Sequence, residues 1–195
     1  MGTSSSQASP RSGPSALNWG TVAAGYRQEV PIDRVVKELW RAAQVDPDAD
    51  WRRLLQAPAV GRCADIAAEI GGPEEALAVV SREVSKQKQS TIATEVAKRA
   101  VVQALALGGE RRSTFVTALF VQATDYLVSR DLSGYIGKQY RNGTVSEAVA
   151  FKEQVAACVR DQVSSLARET GLPQQGDSEA WASFVGRITV GLAGS

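Results

Sequence analysis

Histidine is absent from this sequence, which removes the side chain that most often serves as a general base or as a metal ligand. Cysteine is scarce: Cys63 and Cys158 lie too far apart in the sequence to indicate a disulfide framework or a zinc knuckle. Buried packing is therefore the predicted role of both thiols. We expect no cofactor, no metal site and no catalytic activity.

Long apolar runs and an excess of charge of one sign are missing as well. No apolar run approaches about 18 residues, and no charged start precedes an apolar stretch with a cleavage site. The 22 Lys and Arg residues balance 21 Asp and Glu residues, which argues against a polycationic nucleic-acid wrapper and against an acidic solvating tail. These absences predict a cytoplasmic, soluble protein with reduced thiols and no membrane contact.

The first 17 residues have almost no large apolar side chains and consist mainly of Ser, Gly, Pro, Thr and Gln. Such a segment cannot bury enough surface to offset the entropy lost on ordering. We therefore predict a disordered tail over residues 1–17 and a helical domain over residues 18–195.

From Pro31 onward, apolar residues recur at spacings of three and four, which place them on one face of a helix. Proline, glycine and acidic capping residues divide this pattern into short helices. The predicted helices begin near Pro31, Asp50, Val60, Pro73 and Ser90.

Three further helices follow in the second half of the chain. The segment from Ser113 to about Arg130 is apolar on most sides, which is typical of the buried centre of a bundle. Thr144 and Glu147 have the spacing of a capping box and predict a long helix over about 145–169. Its predicted buried stripe consists of Val145, Ala148, Val155, Val159, Val163 and Leu166.

A last short helix is predicted to begin at Asp177, and the alternation of residues 188–192 also allows an extended ending. The whole pattern predicts an all-α fold, a single compact bundle of about seven or eight helices. A split into two helical halves near residues 108–112 is the alternative.

A basic segment with aromatic residues lies between Ser129 and Gly143, where three glycines accompany a single acidic residue. Its cations can bind phosphates and its aromatic rings can stack on bases. In the alternative interpretation it is an ordinary connection between helices, with cations that meet water and helix carbonyl groups. The candidate residues for contact with nucleic acid or a partner are Arg130, Tyr135, Lys138, Tyr140 and Arg141.

Large aromatic residues occur near both ends of the predicted domain, namely Trp19, Tyr26, Trp181 and Phe184. Such side chains are enriched at protein interfaces, which makes these four the candidate residues of a protein-binding surface. Core packing explains each of them equally well.

Other motif-like spacings are incomplete. Residues 46–50 begin like a calcium loop but lack the glycine and the final glutamate that the loop needs. Residues 63–80 resemble a helix-turn-helix in spacing, yet two glutamates at the start of the second helix would repel DNA phosphates. Ser85 and Lys88 are one helical turn apart, without apolar neighbours to depress the pKa of the lysine.

These observations favour a non-catalytic helical subunit or adaptor that binds another protein, or a second copy of itself, within a larger assembly. The alternative is a nucleic-acid-associated subunit that contacts phosphates through residues 130–141. An enzyme that uses carboxylates alone is the third class left open.

Overall fold

A computed structural model describes residues 17–46, 51–71, 75, 78–82, 92–139 and 144–194, with only the backbone given for Trp19 and for residues 131–139. The described residues form helices and connections without a strand, which confirms the predicted all-α fold class. Residues 75 and 78–82 are helical as well. The other helices are Trp19–Tyr26 (α1), Ile32–Val45 (α2), Trp51–Leu55 (α3), Pro58–Glu69 (α4), Ile92–Leu107 (α5), Arg111–Gln139 (α6), Val145–Thr170 (α7) and Ser178–Ala193 (α8).

Proline and glycine delimit the helices of the first half. Pro31 precedes α2 in an extended conformation, and Pro58 is the first residue of α4, where its missing N–H would have no partner in any case. Gly108 and Gly109 follow α5 with φ angles of +68° and +81°, a conformation that side chains disfavour. The chain therefore turns sharply between α5 and α6.

Helix α6 occupies the centre of the bundle, as its apolar sequence predicts, and it packs against α2, α4, α5 and α7. Phe115, Leu119 and Phe120 are fully buried on it. Two polar side chains at this depth are paired: Trp40 Nε1 donates to Thr124 Oγ1 at 3.1 Å, and that hydroxyl donates to the Phe120 carbonyl at 2.7 Å. The centre of the bundle is thus apolar but contains a satisfied hydrogen-bond chain.

The predicted capping box begins α7. The Glu147 amide donates to Thr144 Oγ1 at 3.2 Å, and the Thr144 amide donates to the Glu147 carboxylate at 2.7 Å. The prediction for Val145 is wrong, because this side chain is 82% exposed. It lies six residues before Phe151, about a third of a turn away from the face that the helix buries. The buried stripe consists of Phe151, Val155, Val159, Val163 and Ala167.

Helix α8 begins where the sequence predicts, since the Asp177 side chain accepts a hydrogen bond from the Ala180 amide at 2.8 Å. It continues to Ala193, so the extended ending considered for residues 188–192 is wrong. Thr189 interrupts the apolar pattern without interrupting the helix, because its buried hydroxyl donates to the carbonyls of Val185 and Gly186.

One hydrophobic core contains residues from both sides of the division considered near residues 108–112, as a single bundle requires. Of the predicted tail, residues 1–16 lie outside the described residues, whereas Leu17 packs into this core and belongs to the folded domain. Among the described helices, none combines the length and the apolarity that crossing a membrane requires.

Replacing Leu119 with alanine should lower the free energy of unfolding by about 2–5 kcal/mol, because the truncation leaves a cavity in the centre of the bundle. Leu107→Ala is a matched control at a side chain that is 67% exposed, and it should change stability by less than about 0.5 kcal/mol. Chemical denaturation followed by circular dichroism measures both. Equal unfolding midpoints for the two variants would exclude α6 from the core.

Candidate functional site

The basic segment predicted to contact nucleic acid or a partner is helical over most of its length. Helix α6 continues through Gly134 and Gly137 to Gln139, so the connection expected for this segment does not begin before Gln139. A glycine inside a helix costs only about 1 kcal/mol and does not by itself end it. Arg130 lies 2.9 Å from the Asp46 carboxylate in an ion pair.

The structure gives no side-chain surroundings for the rest of this segment. Tyr135 and Lys138 are on the helical part for which only the backbone is described, and Tyr140 and Arg141 lie outside the described residues. A role for these four residues in binding therefore stays a prediction.

Trp181 and Phe184, predicted to form an interface, lie in the core, where they are 3% and 0% exposed. The Trp181 indole donates to the Leu55 carbonyl at 3.2 Å and contacts the rings of Phe115 and Phe184. A side chain at Gly61 would collide with this indole, since an added Cβ would lie 3.0 Å from it. The expected role of these two residues changes from interface to core packing, because α8 turns this face toward α3, α4 and α6.

Tyr26 is the third predicted interface residue whose side chain the structure describes, and it is partly buried. Its ring packs against Phe151 in an edge-to-face arrangement, with ring centroids 5.5 Å apart. Burial, and then the negative charge of Glu147, raise the pKa of the Tyr26 phenol. A hollow of about 360 Å³ lies beside the pair, between the end of α1 and the start of α7. The side chain of Trp19 lies outside the description.

The two cysteines differ in their surroundings. Cys63 is buried, as predicted, whereas Cys158 is only partly buried and accepts a hydrogen bond from Gln162 at 3.3 Å. Burial, followed by the charge of Asp33, raises the pKa of the Cys158 thiol. A thiol with a raised pKa is a poor nucleophile at neutral pH, so the surroundings favour packing over reactivity.

A polar latch joins α4, the start of α6 and the connection between α7 and α8. Arg112 donates to the Pro173 carbonyl at 2.7 Å and lies 3.6 Å from the Asp65 carboxylate, with side chains that are 17% and 10% exposed. The same carboxylate accepts a hydrogen bond from the Gly176 amide at 3.2 Å. A cleft of about 190 Å³ opens beside this latch, and two of the charges that line it, Arg112 and Asp65, are engaged with each other. The latch therefore fixes the connection that leads into α8.

A larger and more open groove of about 610 Å³ lies between α3 and α8, and we call it the α3–α8 groove. Gly186 allows α3 to approach, since an added Cβ there would lie 3.1 Å from Gln56 Nε2 and 3.7 Å from Arg52 Nη2. Gln56 donates to the Ala182 carbonyl at 2.9 Å and so ties the two helices together. The lining residues are Arg52, Gln56, Glu179, Ala182, Ser183, Gly186, Arg187, Val190 and Gly191.

The α3–α8 groove carries two cations that the described residues do not neutralise. Arg52 and Arg187 are exposed, and neither makes a hydrogen bond or an ion pair with any described residue. Arg62 and Arg112, by contrast, are engaged with Glu69 and Asp65. The exposed Arg34, Arg99 and Arg160 make no side-chain pair with a described residue either, but they lie outside the groove. The groove is thus a concave surface with two arginine side chains available for an anionic partner.

The lining of the α3–α8 groove contains few of the residue types that act as acids, bases or nucleophiles. It includes no cysteine and one acidic residue, Glu179. Across the described residues, no three Asp, Glu or Cys side chains lie close enough together to hold a metal ion. The arrangement shown can bind and orient a partner through charge and shape.

Comparisons with protein-family models, with curated proteins and with solved structures found no match to this chain.

Sequence reasoning missed the α3–α8 groove because its two arginines lie far apart in the chain and have ordinary neighbours. Arg52 belongs to a five-residue helix, and Arg187 is the only charged residue in the last ten positions of α8. Gly186 and Gly191, the two glycines inside α8, were the signals of a close approach that the sequence contains.

Asp65→Ala should lower the free energy of unfolding by roughly 3 kcal/mol, because it leaves the Arg112 guanidinium buried without a counter-charge. Glu69→Ala is the control, since it breaks the half-exposed pair with Arg62 and should cost less than about 1 kcal/mol. Urea unfolding of both variants measures the difference. Losses of equal size would contradict the latch.

Glu147→Gln should lower the pKa of Tyr26, because it removes the negative charge that opposes the phenolate. The pKa should stay above its ordinary value, since burial is the larger cause. Glutamine also preserves the capping box, so α7 should keep its start. Absorbance of the phenolate during alkaline titration measures the pKa, and the Tyr26→Phe variant assigns the signal. The control is Glu153→Gln at an exposed position. An unchanged Tyr26 midpoint in Glu147→Gln, or an equal shift in Glu153→Gln, would contradict the predicted effect of Glu147.

Proposed function

We propose that this protein is a non-catalytic helical adaptor that binds another protein through the α3–α8 groove. The observation that carries the proposal is the pair of exposed arginines, Arg52 and Arg187, which line the groove and form no ion pair with any described residue. Exposed arginine at a concave surface is typical of protein interfaces, where it contributes strongly to binding.

The shape of the groove supports a macromolecular partner. Small-molecule sites are mostly enclosed and lined by apolar and aromatic side chains. The α3–α8 groove is open to solvent, has no aromatic residue in its lining, and presents the small side chains of Ala182 and Ser183. A segment of another protein can lie along such a surface.

We also propose a cytoplasmic location and a place in a larger assembly. Both cysteines are free thiols, which suits a reducing compartment. The nucleic-acid alternative, through residues 130–141, has less support, because the Arg130 side chain is held in an ion pair with Asp46.

The test is site-specific photo-crosslinking in the cells that make the protein, with a photoreactive amino acid in place of Ser183 in the groove. The control places it at Ala106, an exposed position on α5. We expect a discrete crosslinked protein from the Ser183 position that the Ala106 position does not give, because only the groove would be covered.

Each outcome of this experiment is informative. A crosslinked species of twice the 20.7 kDa chain mass would identify a second copy as the partner. A species that disappears on nuclease treatment would contradict protein binding and favour the nucleic-acid alternative. The same set of products from both positions would contradict the assignment of the groove.

A further inference from the structure

Building on the proposed function, we infer that the segment bound in the α3–α8 groove is an acidic α-helix of the partner protein. The inference concerns both the charge and the backbone conformation of the occupant. Each follows from a different property of the groove.

The charge follows from the uneven distribution of ionic groups along the groove. Arg52 on α3 and Arg187 on α8 supply two cations, whereas Glu179 supplies the one anion of the lining. Because the two arginines have no partner among the described residues, carboxylates of an occupant would gain ion pairs without breaking any in this chain. A basic occupant would instead bring like charges together.

The helical conformation follows from the backbone groups that the groove offers. One wall is α8, whose interior amides and carbonyls are paired within the helix. The other wall is the short α3, three of whose carbonyls accept hydrogen bonds from Gln56, Ala57 and Trp181. The side-chain amide of Gln56, which lies across the groove, is likewise used by the Ala182 carbonyl. An extended segment would find no strand edge on which to satisfy its own backbone, whereas a helix satisfies its backbone internally.

The short side chain of Ser183 leaves room for an occupant on the exposed side of α8. Gly186 is buried beneath the side chains of Arg52 and Gln56, so this position is already covered. An occupant would therefore meet α8 at Ser183 and at the partly buried Ala182 and Val190.

A nucleic acid is a less suitable occupant of the α3–α8 groove than an acidic helix. Single strands gain much of their affinity by stacking bases on aromatic rings, and the groove lining contains none. Glu179 also places a negative charge at the end of the groove where α8 begins, where it would repel a continuous phosphate backbone.

The probe is a displayed library of alanine- and leucine-based helical peptides, in which the exposed positions vary among glutamate, glutamine and lysine. Selection on the full chain should enrich glutamate at several of these positions. Peptides from the selection are then synthesised with a fluorophore, and their affinities are measured by fluorescence anisotropy at low salt.

Two variants separate the charge of the groove from its shape. Arg52→Glu combined with Arg187→Glu should weaken the selected peptides by about tenfold or more and should improve their lysine counterparts. Arg34→Glu combined with Arg99→Glu is the matched control at exposed arginines outside the groove, and it should leave these affinities nearly unchanged. Ser183→Trp fills the groove and should abolish binding of the selected peptides.

The outcomes distinguish this inference from the proposed function. Selected peptides that lose binding in Ser183→Trp but show no preference for glutamate would overturn the inference of an acidic helix. The proposed protein binding at the groove would still stand. Peptides that bind only in extended form, or equal weakening by both double variants, would overturn the inference as well. If Ser183→Trp has no effect on any selected peptide, the groove is not a binding site and the proposed function fails too.

Discussion

The bundle depends on covering α6, a helix that is apolar on nearly all of its sides. A single neighbour cannot bury such a helix, so α2, α4, α5 and α7 are placed around it. The Trp40–Thr124–Phe120 hydrogen-bond chain shows how tightly this requirement constrains the centre, since the polar groups there are satisfied by one another. With these helices turned inward, α8 packs mainly against α2, α3, α4 and α7 at the outside of the bundle.

Helix α8 is nevertheless held firmly, which matters for a surface that binds. Arg41 and Gln44 of α2 donate to the carbonyls of Ala193 and Thr189, at 2.9 Å and 3.2 Å. The latch formed by Arg112 and Asp65 fixes the connection that precedes α8. A surface fixed in advance loses little conformational entropy when a partner binds, and so more of the contact energy appears as affinity.

Much of the fold could be predicted from the sequence because it depends on local patterns. The capping box at Thr144, the glycines after α5 and the cap at Asp177 each determine a helix boundary through groups only a few residues apart. The candidate site could not be predicted in this way. The pairing of Arg187 and the burial of Trp181 both depend on residues that are distant in sequence. Only the packed structure brings those residues near.

Hydrogen–deuterium exchange tests most directly the claim that a partner protein binds in the α3–α8 groove. Exchange is compared between protein isolated from its own cells at low salt and the same chain purified alone. Helix α3 has only five residues, so its amides should exchange readily in the free chain. The account predicts slower exchange over residues 51–56 in the isolated complex, because a partner seated in the α3–α8 groove covers α3. Unchanged exchange there, together with protection confined to residues 130–141, would contradict it.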